Sequence, residues 1–246
     1  MLAKPILIAG QSHAYALGLP GAAAEAAPAT VEIKPGILGL VGGWPRDDRY
    51  WTALVEASAE ATPAVVWEGS QHLGDFLFAD PPFDFVLSSQ PDLPLNENVA
   101  LVPEAAVREL QIRHLIGLAE LLKRLDRKNP MVVATPPAKG DDEALRGFVM
   151  SEVHFQNQAE VLGIDLAEAT IMPRWTRYKL WAVIQELMRE IAFAHGAAFV
   201  SHPAASQDAE GFLRPEYSMP DAGHANEAYG HLMLDNIVAA HRERIA

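Results

Sequence analysis

Short, continuous apolar runs alternate with longer stretches of helical periodicity along this chain. The candidate strands are Ile6–Ala9, Ile37–Val41, Ala64–Trp67, Phe83–Leu87, Met131–Ala134 and Ala198–Ser201. Most are unbroken apolar runs, as expected of strands covered on both faces. The candidate helices are Asp47–Ala61, Glu104–Leu125, Asp141–Leu162, Arg174–His195 and Ala225–Arg244. In the second, Leu110, His114, Gly117, Leu121 and Leu125 recur at helical spacing; in the fourth, Leu180, Ile184, Leu187, Ile191 and Ala194 do so. This alternation with short connections predicts an α/β fold, an open and mainly parallel sheet flanked by helices. In such sheets the active site lies in loops at the carboxyl ends of the strands.

Two regions break the rhythm. Gly21–Thr30 reads as an irregular loop. Asp80–Pro82 and Ser88–Pro103 are punctuated by proline and suggest a lid or a rim. With no repeat, charged block or domain-sized linker, residues 1–246 are expected to form a single domain.

Composition narrows the function classes. The chain has 246 residues, of which 50% are apolar, enough for a sizeable core. A net charge of −13 argues against nucleic acid or anionic membrane as a partner held by bulk electrostatics. There is no cysteine, which removes disulfides and thiolate metal sites. The apolar run after Lys4 is too short for a signal peptide, and no stretch approaches a membrane span, so a cytoplasmic location is expected.

The chemistry concentrates at the two ends. The first strand candidate runs into Gly10-Gln11-Ser12-His13, which puts a serine hydroxyl where a buried strand emerges into a turn. Far along the chain stands Asp221-Ala222-Gly223-His224-Ala225-Asn226. Serine, histidine and aspartate are the parts of a nucleophilic acyl-transfer device, with Ser12 attacking, His224 as base and Asp221 orienting it. The Asp-x-x-His spacing suits a tight turn that folds the carboxylate back onto the ring. Simpler readings compete: Ser12 as cap of the next helix, Asp221 as cap of the last, and His224 as a surface residue.

On these residues the chain resembles the SGNH (GDSL-type) hydrolases. Gly10-Gln11-Ser12 matches the family's Gly-Asp-Ser block, with Gln11 in place of a non-catalytic aspartate. Asp221-x-x-His224, followed by Asn226 and Gly230, matches the last block. Gly42 or Gly43 stands where the family has a glycine amide after the second strand. In the third block, where the family has an oxyanion asparagine, the chain reads Gly69-Ser70-Gln71-His72. The resemblance implies a three-layer α/β/α, flavodoxin-like fold with a five-stranded, mainly parallel sheet. It implies hydrolysis of a small or carbohydrate-linked acyl ester, with no metal or organic cofactor. It also implies an oxyanion hole built from the Ser12 amide, Gly42 or Gly43, and Ser70. His13, Trp44, Gln71 and His72 are candidates for substrate contact.

Ser70 is the departure with consequences, because losing a preorganised oxyanion donor typically costs about 10²–10³ in rate. It motivates a second reading, a non-hydrolytic relative that binds a ligand in the same cleft. An acyltransferase using the same site is a third. Gly10-Gln11-Ser12-His13-Ala14 also loosely matches the Gly-x-Ser-x-Gly elbow of α/β-hydrolases, but that elbow comes much later in the chain. His13, His72 and His224 lack the local spacing of a metal site. Trp51 and Trp67 read as core and edge packing or, with Trp44, as an aromatic wall at the pocket mouth. Trp175 and Trp181 read as packing or interface residues, Asp47 or Asp48 as a helix cap, and Arg174–Arg177 as a solvated helix start.

Overall fold

The computed structural model describes residues 4–245. In chain order the elements begin with β1 (Ile6–Gly10), β2 (Ala29–Lys34), β3 (Ile37–Val41), α1 (Asp48–Ala57), β4 (Thr62–Val66) and α2 (Gln71–Gly74). There follow β5 (Phe83–Asp84), β6 (Ala100–Leu101), α3 (Glu104–Ile112), α4 (Ile116–Arg124) and β7 (Met131–Val133). The chain closes with α5 (Asp142–Ser151), α6 (Val153–Leu162), α7 (Arg174–Ala194), β8 (Ala198–Val200) and α8 (Glu227–Ile245).

The main sheet has the order β2-β3-β1-β4-β7-β8. From β3 to β8 every pairing is parallel; only β2 runs antiparallel, against β3. Strand alternation sorts the core into two layers. Leu7, Ala9, Leu40, Val65 and Val132 point to one face and pack with α1, α4 and α7 through Leu54, Leu118, Leu121, Ile184 and Leu187. Ile6, Ile8, Ala64, Val66, Met131 and Val133 point to the other and pack with α8 through Tyr229, Met233 and Ile237. The result is a three-layer α/β/α arrangement, the expected fold class, but the sheet has six strands and not five, because the antiparallel edge strand β2 adds to the five parallel ones.

Several expectations change in detail. β2 lies partly in the segment read as loop. It is an edge strand whose Thr30, Glu32 and Lys34 are exposed while Val31 and Ile33 are half-buried, so it carries alternation and not an apolar run. Phe83–Leu87 contributes only Phe83–Asp84 as strand, paired with Ala100–Leu101 in a separate two-stranded sheet. The Glu104–Leu125 helix is broken by a 3-10 turn at Arg113–Leu115, and the Asp141–Leu162 helix is broken at Glu152 (ψ 125°).

Ser88–Pro103 is not a lid. Its root is fixed by a buried ion pair, Lys179 Nζ to Asp84 Oδ1 at 2.6 Å. Lys179 also donates to Pro94 O at 3.1 Å, and Asp84 Oδ2 accepts the Asn96 N–H at 2.8 Å. The segment is thereby held against α7. Arg177 is likewise no solvated helix start: it is 1% exposed and donates to Met172 O, Asp142 Oδ1 and Lys139 O. Among the described residues, no helix is long and apolar enough to cross a membrane.

Candidate active site

The turn after β1 is held from three sides. The Gly10 N–H donates to Tyr50 Oη at 2.9 Å, and the Tyr50 hydroxyl donates to Leu40 O at 2.8 Å. A Cβ on Gly10 would stand 2.3 Å from Val66 O, so glycine is what lets β1 and β4 pair up to the turn. Gln11 Oε1 accepts the Glu68 N–H at 2.6 Å, tying the turn to the loop after β4. Ser12 opens the 3-10 turn Ser12–Leu17, whose N-cap position belongs to Gln11. Ser12 is therefore not spent as a helix cap.

The Asp221–His224 segment forms the tight turn that its spacing suggests. Asp221 Oδ1 accepts the backbone N–H groups of Gly223 at 3.0 Å and His224 at 2.7 Å. Asp221 Oδ2 lies 2.9 Å from His224 Nδ1. Burial pushes the Asp221 carboxyl up, but hydrogen bonds from the His224 ring and backbone outweigh it. With the charges of His224 and Lys139 added, the group is held well below the usual carboxylate range. Asn226 caps α8 instead, its Oδ1 accepting the Tyr229 N–H at 3.2 Å.

Two groups not anticipated from the sequence clamp this turn. Lys139 Nζ, just beyond β7, donates to Met219 O at 2.8 Å, Asp221 O at 2.6 Å and Asp221 Oδ1 at 3.3 Å. Glu152, at the break between α5 and α6, accepts the Ala222 N–H at 2.8 Å. The buried Arg177 guanidinium donates to Lys139 O at 3.1 Å and steadies that segment in turn. Nothing local in the sequence marks Lys139, and its role, like those of Glu152 and Arg177, depends on tertiary contacts.

The two ends of the chain meet. Gly230 lets α8 lie against the Ser12–Leu17 turn, since a Cβ there would stand 1.6 Å from Ala16 O. The His13 and His224 ring centroids are 5.1 Å apart, tilted by 50°. The hydrogen bonds formed at this junction are His224 to Asp221 and His13 Nε2 to Ser70 Oγ, the latter at 2.8 Å. Among the described residues, none joins Ser12 to His224. Catalytic hydrogen bonds are often long or unformed before substrate binds.

A cavity of about 320 Å³ lies over the turn, lined by Ser12, His13, Trp44, Ser70 and Gln71 but not by His224, with Glu68, Asp75 and His114 also in the wall. His114 Nε2 stands 2.5 Å from Asp75 Oδ2, and burial pushes the Glu68 carboxyl up. No motif or spacing in the sequence marks these last three as site residues. A larger cavity of about 510 Å³ opens beyond Ser218–Ala222 and takes in neither Ser12 nor His224.

The remaining candidates divide. His72 is buried and lies outside the Ser12 cavity; burial, then the charge of Arg177, lowers its pKa to about 3. The Gly43 N–H donates to Ala26 O at 3.0 Å and is not free to meet an anion. Gly42, directly after β3, has its carbonyl held by Arg46, which also donates to Gly10 O at 3.1 Å and Gly43 O at 2.9 Å. Trp51 and Trp67 pack together at 5.0 Å as core residues, and the Asp47 side chain caps α1. Among the described residues, no three His, Cys, Asp or Glu side chains are grouped to hold a metal ion.

No family sequence profile matches the chain, and no curated protein matches it by sequence. Solved structures do resemble it. One is a protein assigned as an acylhydrolase from Bacteroides fragilis, at 12% identity and a TM-score of 0.50, covering 99% of this chain and 88% of that one. Another is a GDSL-like lipase from Bacteroides thetaiotaomicron, at 12% identity and a TM-score of 0.48, covering 98% and 89%. At such identity the likeness is one of fold alone: the chain shares the α/β/α fold of the Bacteroides fragilis structure.

Proposed function

We propose that the protein is a serine ester hydrolase acting on a small or carbohydrate-linked acyl ester. The observation that carries this reading is the Asp221–His224 pair, with Nδ1 and Oδ2 at 2.9 Å, packed beside the turn that bears Ser12. Nδ1–H donates to Asp221, which leaves Nε2 as the basic atom. Ser12 Oγ attacks the ester carbonyl carbon and its proton passes to His224 Nε2. The tetrahedral oxyanion is met by the Ser12 and Gly42 amides and the Ser70 hydroxyl. The carbon–oxygen bond to the alcohol then breaks, and that oxygen takes the proton from Nε2. Water attacks the acyl-enzyme with His224 again as base, releasing the acid and restoring Ser12. The Bacteroides fragilis neighbour's assignment as an acylhydrolase is in keeping with this chemistry.

A second reading, a ligand-binding protein without turnover, is favoured by the unformed Ser12–His224 hydrogen bond. Hydrolysis of short-chain aryl esters by wild type and Ser12→Ala separates the two. Turnover abolished by the substitution supports the hydrolase. No turnover from folded wild type on any short acyl ester supports the binder.

A further inference from the structure

We propose that His13 is a positioning residue that turns Ser70 into the oxyanion donor of this site, the two side chains acting together in place of an asparagine amide. The inference rests on the hydrolase reading above. His13 Nε2 lies 2.8 Å from Ser70 Oγ, and both side chains line the cavity that contains Ser12. The Ser70 hydroxyl is not spent as a helix cap: Ser70 occupies the N-cap position of α2, but its side chain makes no capping bond. Its hydroxyl also faces the turn that carries His224, since a Cβ on Gly223 would lie 3.8 Å from Ser70 Oγ.

The direction of the His13–Ser70 hydrogen bond decides what Ser70 can do. His13 is 7% exposed, and its Nδ1 has no partner among the described residues. Burial, then the charge of His224, lowers its pKa to about 3, so the ring is neutral and carries one N–H. A proton on Nδ1 would leave a buried donor orphaned, which proteins tolerate less readily than an unpaired acceptor. The proton therefore sits on Nε2 and is donated to Ser70 Oγ. The hydroxyl proton of Ser70, relieved of that bond, is free to donate to an anion in the cavity. A serine hydroxyl alone rotates freely; fixing its oxygen from one side restores the preorganisation an oxyanion donor needs. The same features tell against Ser70 as a nucleophile with His13 as its base. The ring is a very weak base, and its second nitrogen has no carboxylate to orient it.

A double-mutant cycle on aryl-ester hydrolysis tests this, with His13→Leu and His13→Gln made in wild type and in Ser70→Asn. His13→Leu should lower kcat by roughly 10-fold or more with KM little changed, a large share of the loss typical of one oxyanion donor. His13→Gln, whose amide places a donor near Nε2, should recover most of that loss. In the Ser70→Asn background the amide donates directly, so His13→Leu should cost less than about 2-fold. Equal losses in both backgrounds, or a loss that His13→Gln fails to recover, would overturn the proposal. Circular-dichroism melts of each variant identify unfolded samples; if His13→Leu does not fold, His13→Gln and His13→Ala carry the cycle. Failure of the hydrolase reading itself would look different: wild type would show no turnover at all, or Ser12→Ala would retain it.

Discussion

Lys139 Nζ reaches three oxygens of the histidine-bearing turn at once, Met219 O, Asp221 O and Asp221 Oδ1, the shortest contact being 2.6 Å to Asp221 O. A single half-buried ammonium thus fixes both the backbone and the carboxylate that orient His224. In Lys139→Met the carbonyls lose their donor and the turn is free to shift. The expected outcome is a fall in kcat of roughly 10- to 100-fold, the scale that misplacement of a catalytic group produces. Steady-state kinetics on an aryl ester check it; kcat within about 2-fold of wild type would show that the turn holds without Lys139.

Asp221 also makes stability depend on pH. Its folded-state pKa is depressed below the ordinary value of about 3.9. A depressed carboxylate contributes stability that is fully present above the unfolded-state value and is lost as pH falls toward the folded one. Wild type should therefore melt above Asp221→Asn at pH 6, and the gap should narrow between about pH 4 and pH 3. Paired thermal melts across this range provide the check. A gap that widens on acidification would mean that the carboxylate is not stabilised in the folded state.

The Lys179–Asp84 pair, 0% and 1% exposed, holds the root of the 83–103 excursion. Removing one partner of such a pair leaves a buried charge alone, at a typical cost of about 3–5 kcal/mol. Lys179→Met should destabilise by that order in urea titrations. Because the excursion lies against α7 and away from the Ser12 cavity, kcat of the folded fraction should change less than about 2-fold.

Tyr50 joins β1 to β3 at the site, accepting the Gly10 N–H and donating to Leu40 O. Tyr50→Phe removes both bonds from a buried region, and leaving such groups unpaired costs about 1–3 kcal/mol. Chemical denaturation should show a loss in this range. Gly10→Ala should fail more severely, because its Cβ collides with backbone at Val66 and not with the end of a flexible side chain.

The parts of the fold legible in the sequence are those whose environment leaves a periodic mark. β1, β4 and β7 are buried on both faces and read as apolar runs. The edge strand β2 has one solvated face, and its Thr-Val-Glu-Ile-Lys alternation is easily taken for the end of a loop. Arg113–Leu115 and Glu152 break their helices without proline or glycine, so nothing local announces the breaks. At the site, Ser12, His13, Asp221, His224 and Ser70 stand at strand ends or in tight turns and can be picked out by position. Glu152, Arg177 and Lys139 cannot, because their roles come from partners 35 to 82 positions away along the chain. Arg177 shows the limit most plainly: a charged residue at a helix start looks solvated until the carbonyls that bury it are known.

Ser12, and no other serine, is expected to be the nucleophile served by His224. The most direct measurement is labelling of the folded wild-type protein with a fluorophosphonate, followed by mass mapping of the modified peptide. The expected result is a single adduct on Ser12, lost in Ser12→Ala and strongly slowed in His224→Ala. An adduct on Ser70, or no adduct in protein that remains folded, would contradict the account.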